Sequence, residues 1–295
     1  MGDRWHAALD MGGTKIAVGL VKNQRQVAEQ ERIPSRAPDP AAAVAQIGRI
    51  LRRQCGRAGI ELSQLSGAGI VCAGPVDTER GTIENPYTLP DWEHYPIAAA
   101  LQRELSVPVK LENDANGALM GEIRLQGLSE RRVMMITFGT GIGAAFWNGR
   151  ELYRTGGRYH PELGHIIIGG ERSGCYCGRD GCMESLLSGT ALHRRAKQAG
   201  YQDFMEAVNG AEAGEPAAAG LLARVEKELC SALWNFGLLF QPDVYVFGGG
   251  MGEACFDLLS AMARRASMAE DFVRPFEILP GSRDVNPALV GGANL

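Results

Sequence analysis

The chain has 295 residues, more than one hydrophobic core comfortably serves, so two domains are expected. Its net charge of −4 excludes the basic footprint of a nucleic-acid binder. No apolar run approaches the roughly 18 residues of a membrane span, and His6 stands where N-myristoylation requires Ser or Thr. Seven cysteines, an odd number without a signal peptide, fit a reducing compartment; a cytoplasmic protein is expected, with Cys55, Cys72, Cys230 and Cys255 as small buried hydrophobes.

The apolar run Ala7–Leu9 ends at Asp10, and Met11-Gly12-Gly13-Thr14-Lys15 then leads into a second run, Ile16–Val21. Two strands and a glycine turn make a hairpin. It has two readings: an ordinary turn, or a phosphate and Mg²⁺ corner. In the second, backbone N–H groups and Thr14 meet phosphate oxygens and Asp10 orients the hydrated ion. The spacing of a Walker A loop is absent.

Asp39-Pro40 reads as an N-cap and first helical residue, with Val44, Ile47 and Leu51 at helical spacing; Arg49, Arg52, Arg53 and Arg57 on the same segment read as a solvated face. Gly67–Ala73, closed by Gly74-Pro75, is apolar enough for a strand buried on both faces. A helix at Ile97–Leu105 and a strand at Val107–Leu111 follow, ending in Glu112-Asn113-Asp114 before a helix at Ala115–Gln126. Asp114 has two readings as well, as cap of that helix or as a reactive carboxylate beyond the carboxyl end of a parallel strand.

Val133–Thr137, Gly139-Thr140-Gly141-Ile142-Gly143 and Ala144–Trp147 repeat strand, glycine turn and strand, as an internal duplication would. Val244–Phe247 runs into Gly248-Gly249-Gly250, a loop or a place where backbone approaches a ligand. Pro216–Phe240 is a long amphipathic helix for a core or a dimer contact. Nothing is of low complexity. The domain boundary is expected between Gly117 and Glu130, giving domains of 1–120 and 121–295. Gly291-Gly292-Ala293-Asn294-Leu295 is an early ending for a terminal helix.

Glu162–Glu184 concentrates the chemistry, with His165, Cys175, Cys177 and Cys182 inside a glycine-rich loop. Three thiols and one imidazole are the ligand set of a closed, structural zinc site. C-x-C is tighter than ordinary zinc spacing, so loop cysteines or a disulfide remain open. Glu162, Glu184 and the second nitrogen of His165 are suited to the hydroxyls of a polyol.

Taken in order, D-M-G-G-T-K, E-N-D-A-N, G-T-G-I-G, E-L-G-H, C-Y-C-G-R-D-G-C-M-E and F-G-G-G resemble the ROK family of sugar kinases and sugar-responsive repressors, in the actin-like ATPase superfamily. The resemblance runs from residue 7 to residue 293. It implies an α/β protein of two RNase H-like domains around a cleft, binding ATP, Mg²⁺, Zn²⁺ and a hexose, and forming a homodimer. Asp114 becomes the general base, and Asn113, Glu162, His165, Glu184, Thr88 and Gly74 become sugar contacts. Asp10, Gly12, Gly13, Thr14, Lys15, Gly139, Thr140, Gly141 and Gly249 line the nucleotide and its metal, while zinc takes His165, Cys175, Cys177 and Cys182.

Three departures stand out. Thr88-Leu89-Pro90-Asp91-Trp92 replaces N-[LI]-P-G-W, His160-Pro161 replaces A-G before E-x-G-H, and Ala144-Ala145 follows the second turn where G-G is frequent. Glucose is the default acceptor, with an N-acylated hexosamine, allose, fructose or mannose as alternatives. From other classes, a repressor would need a DNA-binding domain before Asp10, and a catalytically idle sugar binder would not need Asp114 and both turns.

Overall fold

In the computed structural model, which describes residues 3–155, 160–170, 173–265 and 271–295, the chain opens as an antiparallel meander: β1 (Trp5–Met11), β2 (Lys15–Lys22) and β3 (Gln26–Pro34). Helix α1 (Pro40–Arg57) returns the chain so that β4 (Leu65–Cys72) pairs in parallel with β1, Asp10 opposite Val71. Asp39 caps α1 by accepting from the N–H groups of Ala41 and Ala42, as its sequence signature requires. Its arginines are a solvated face: Arg52 pairs with Glu104 at 2.7 Å, Arg53 with Glu31, and Arg57 with Glu29 at 3.6 Å.

The short hairpin β5 (Val76–Asp77) and β6 (Thr82–Ile83) comes next, then α2 (Ile97–Leu105), β7 (Val109–Asn113) and α3 (Asp114–Gln126). Strand β7 pairs in parallel with β4, completing a sheet of order β3-β2-β1-β4-β7.

The duplication foreseen from the second glycine turn is a topological fact. Strands β8 (Arg132–Phe138) and β9 (Ile142–Asn148) form an antiparallel hairpin. Helices α4 (Met183–Leu187), α5 (Gly189–Gln198), α6 (Phe204–Glu212) and α7 (Pro216–Phe240) then lead to β10 (Val244–Gly248), parallel to β8. After α8 (Gly249–Ala254) and α9 (Phe256–Arg265), β11 (Glu277–Pro280) lies parallel to β10. The order β9-β8-β10-β11 repeats β2-β1-β4-β7 strand for strand, with the same parallel and antiparallel senses.

The last helix, α10 (Pro287–Gly292), belongs with the first sheet, so neither unit is one continuous stretch. One unit is 1–130, 149–161 and 282–295; the other is 131–148 and 162–281. This differs from a single boundary near residue 120, because α10 docks where small residues leave room for it. A Cβ on Gly69 would meet the Gly292 carbonyl oxygen at 1.9 Å, and one on Gly121 would meet that of Pro287 at 1.9 Å. Leu289 and Ala293 fill the face formed by Ala8, Ala17 and Val21.

The opposite face of the first sheet packs Leu9, Met11, Ile16 and Ile70 against Ile47 and Leu51 of α1. In the second unit Met134, Ile136 and Phe247 pack with Leu229, Leu233 and Phe236 of α7, making that helix largely core. Of the four unassigned cysteines, Cys55, Cys72 and Cys255 are buried as expected, whereas Cys230 is half-buried. No helix among the described residues is long and apolar enough to cross a membrane.

Candidate functional site

The first unit gathers its predicted residues at the carboxyl ends of β1, β4 and β7. Gly12 N–H donates to the Lys15 carbonyl at 3.0 Å, closing the first turn. Gly13 at its tip has no room for a side chain: a Cβ would lie 3.0 Å from that of Thr88. Thr14 and Lys15 are exposed beside it. Asp10, half-buried at the end of β1, accepts from Asn286 Nδ2 at 2.9 Å. Its carboxyl is held above the ordinary value, with burial outweighing the opposing effects of Asn286 and Arg32. A buried carboxylate kept partly short of charge compensation fits a place for a hydrated cation.

Asn113, not Asp114, caps α3. Its Oδ1 accepts from Ala115 N–H at 3.0 Å and from Asn116 N–H at 3.4 Å. Asp114 is the first helical residue and is exposed, and its own Oδ1 also accepts from Ala115 N–H, at 2.8 Å. The Asn113 amide nitrogen faces Gly74, where a Cβ would stand 2.8 Å from it. Asp114 and Asp10 both approach the buried Cys72, whose thiol is pushed well up by burial first and then by those two charges. Beneath them, buried Glu112 receives Arg154 Nε at 2.7 Å, Asn116 Nδ2 at 2.9 Å and Asn113 N–H at 3.0 Å, which fixes the turn into α3.

Thr88 is placed by a residue that the sequence reading missed. Asn85, 1 % exposed, donates through Nδ2 to Thr88 Oγ1 at 2.7 Å and to the carbonyls of Ala73 and Gly74 at 3.1 and 2.6 Å. Its Oδ1 accepts from Tyr87 and Thr88 N–H. Nearby, Asp91 Oδ2 accepts from Ala37 N–H at 2.8 Å, and Trp92 Nε1 donates to the Ser35 carbonyl at 2.8 Å. The departure at His160 is anchored too: Nε2 donates to the Val76 carbonyl at 2.9 Å.

In the second unit, a Cβ on Gly139 would stand 3.8 Å from the Gly141 carbonyl oxygen, and Thr140 is exposed between them. Gly249 has φ +80°, and a Cβ there would meet the backbone of Phe138 at 2.8 Å, so glycine is required on both counts. Glu184, in the first turn of α4, accepts from Ile142 N–H at 3.0 Å through Oε2. A proposed sugar carboxylate thereby bonds directly to the second glycine turn. Glu162 is exposed, just before the short turn Leu163–His165.

The loop before α4 folds around the four candidate metal ligands. Gly181, at φ +76°, lets the backbone close on itself, since a Cβ would meet the Gly169 carbonyl oxygen at 1.9 Å. Asp180 accepts from Ser173 and Gly174 N–H, and Ser185 Oγ donates to the Cys182 carbonyl at 2.8 Å. Residues 171 and 172, inside the predicted segment, lie outside the described residues. The ligand atoms of His165, Cys175, Cys177 and Cys182 lie within 4.8 Å of one another. Cys175 Sγ is 3.5 Å from His165 Nδ1 and Cys177 Sγ is 3.4 Å from Cys182 Sγ.

All three thiols are free, and bonds of about 2.0–2.3 Å from a central zinc would span separations of this size, so the donor set fits the ion. Without metal, Cys182 is pushed up to about 12 by burial and by Cys177 and Cys175, while the Arg179 backbone N–H lowers Cys177. The imidazole is divided: Nδ1 faces the thiols, and Nε2 meets the Tyr176 hydroxyl at 2.9 Å. Tyr176 and Asn286, like Asn85, carried no signal in the sequence beyond lying beside or between predicted segments.

Two duplicated α/β units of this topology, each with a glycine hairpin, define a class: the actin-like ATPase fold as it occurs in sugar kinases. Residues 6–295 match the ROK family, and the chain belongs to it. Glucokinase of Streptomyces coelicolor is 29 % identical over 312 residues, covering 97 % of this chain and 96 % of the relative. N-acetylmannosamine kinase of Vibrio cholerae is 26 % identical over 293 residues and 97 % of each chain. The ROK hexokinase of Thermus thermophilus superposes with a TM-score of 0.80 at 29 % identity, covering 99 % of this chain and 97 % of that one. A Streptomyces griseus ROK glucokinase in complex with glucose and AMPPNP gives 0.76 at 26 % identity and 98 % of each chain.

Proposed function

We propose that this ATP-dependent sugar kinase transfers the γ-phosphoryl group of ATP to the 6-hydroxyl of a hexose, glucose or a close relative, with Asp114 as general base. The observation that carries the reading is the state of Asp114. It stands exposed at the carboxyl end of β7 as the first residue of α3, with Asn113 as the cap, in the unit that also presents the first glycine turn and Asp10.

Phosphoryl transfer requires mainly positioning and charge neutralisation. Asp114 orients the acceptor hydroxyl and takes its proton late, as the bond to phosphorus forms. Asn113, Gly74, Thr88, Glu162, His165 and Glu184 are the residues proposed to hold the other hydroxyls. The Thr88 Oγ1 already accepts from Asn85, so its own proton is directed to a substrate oxygen. Gly12, Gly13, Thr14, Lys15, Gly139, Thr140, Gly141 and Gly249 supply close backbone and polar contacts for the nucleotide. Mg²⁺, when bound, offsets phosphate charge, and Asp10 is the residue to hold its hydration shell. Zinc would be held by His165, Cys175, Cys177 and Cys182 and would fix the loop that carries the sugar contacts.

N-acetylmannosamine is the second acceptor reading, favoured by the kinase of Vibrio cholerae and by the shorter side chain at Thr88. The decisive experiment is coupled ADP release with Mg·ATP over glucose, mannose, fructose, allose, N-acetylglucosamine and N-acetylmannosamine. Turnover on one of them, lost in Asp114→Asn, supports the reading. Silence on all six, from protein that contains zinc and binds ATP, overturns it.

A further inference from the structure

Tyr176 stands in the sequence between two candidate metal ligands, Cys175 and Cys177, and the phosphoryl transfer proposed above does not use it. Its position gives it a role. Its hydroxyl is 2.9 Å from His165 Nε2, and the two rings meet edge to face with centroids 5.0 Å apart. Because Nδ1 of the same imidazole faces Cys175 at 3.5 Å, Nε2 is the nitrogen left for a substrate. Yet Tyr176 is 71 % exposed. Tyr245 shows the contrast: fully buried, it donates to the Leu233 carbonyl from inside the core.

We infer that Tyr176 is a gate on the acceptor site: without sugar, its phenol oxygen occupies the place at His165 Nε2 that a substrate hydroxyl takes, and the ring leaves as the sugar binds. The inference rests on the kinase reading above. With Nδ1 given to the metal, Nε2 carries the proton and donates it, and phenol and sugar oxygens are equivalent acceptors. Displacement then exchanges one neutral hydrogen bond for another. Little apolar burial holds so exposed a ring in place, and Gly174 and Gly178, at φ +63° and +80°, flank it on the loop.

A substrate with a hydroxyl at the right carbon displaces the phenol without loss of hydrogen bonds. One lacking that hydroxyl must either leave Nε2 unpaired or bind with the tyrosine still seated. The gate therefore weakens by that one bond any sugar that displaces the phenol, and spares an analogue that binds with the tyrosine still seated.

The test is Tyr176→Phe, which keeps the ring and removes the oxygen. Sugar affinity is measured by calorimetry without ATP, alongside kcat, KM and zinc content, using whichever of glucose or N-acetylmannosamine the wild-type enzyme phosphorylates, and its mono-deoxy analogues. The expected result is two- to tenfold tighter binding, the range of one net hydrogen bond, with kcat within about twofold and zinc retained. The analogue lacking the hydroxyl that meets Nε2 should gain no more than the parent sugar. Unchanged or weaker binding by the variant, with the wild type turning over, overturns the gate and leaves the kinase reading standing. Absence of wild-type turnover on every sugar of the panel defeats the kinase reading itself.

Discussion

Gly141→Ala separates the sugar site from the stability of the fold. A Cβ at position 141 would stand 2.5 Å from Glu184 Oε2 and 3.2 Å from its carboxyl carbon, too close for either to remain. Gly141 is not among the glycines with positive φ, so the backbone admits alanine without strain. What must move is the end of a half-buried side chain, and the bond from Ile142 N–H to Oε2, 3.0 Å, is lost with it. Because the carboxylate can turn toward water, the stability cost should be about 1 kcal/mol, or roughly 2–4 °C in Tm for domains of this size. The sugar site should lose much more. A carboxylate moved off a hydroxyl forfeits a charge-assisted hydrogen bond of about 1.5–3 kcal/mol, a roughly 10- to 150-fold weakening. Calorimetric titration with sugar in the absence of ATP isolates this from any crowding of the nucleotide. Unchanged sugar affinity, or a collapse of Tm by more than about 10 °C, would show that Glu184 is not the coupled sugar contact described above.

Asp114→Asn should lower kcat by about 10²–10⁴-fold while sugar affinity and zinc content stay near wild type; retained turnover in a steady-state assay would remove it as the base. On the proposed zinc reading, Cys177→Ser should lose zinc, read by elemental analysis, together with most sugar affinity; full sugar binding by zinc-free protein contradicts it. Asp10→Asn should abolish Mg-dependent turnover yet raise the stability of the ligand-free protein. The folded carboxyl has the higher pKa, so the folded state binds the proton more tightly. The resulting stabilisation is complete below the unfolded pKa and is lost as pH rises through the folded one. Wild-type Tm should therefore fall across that window above pH 4, and the variant should lack this slope. A matching slope in the variant would assign it elsewhere.

Periodicity located the elements whose signal is local. The helix at Ile97–Leu105 and the one at Pro216–Phe240 stand within the bounds read from the sequence, because amphipathic spacing and proline at the first turn act within one element. Strands β3, β5, β6 and β11 and helices α4–α6 and α8–α10 were not anticipated, most being short or set in stretches read for their glycines and cysteines rather than their period. The duplicated hairpin was legible, and the two sheets repeat one topology around it. The division of the chain was not: α10 docks on Gly69 and Gly121 through backbone contacts below 2 Å from a virtual Cβ, and such complementarity leaves only scattered glycines in the sequence.

The sequence by itself determined the chemistry on offer: three thiols and an imidazole in one loop, carboxylates beside them, glycine turns after apolar strands, and an acid at the end of a third strand. Residue type and spacing suffice for that, since ligand preference and backbone freedom are properties of the residues themselves. Tertiary structure alone decided how those groups are shared out. Asn113 takes the cap of α3, Asn85 donates to Thr88 Oγ1, Glu184 ties the loop of candidate metal ligands to the second glycine turn, and Tyr176 seats itself on His165. Each depends on a hydrogen bond whose partner is chosen by packing. Sequence shows how many donors and acceptors a residue brings; only the fold determines which are already engaged.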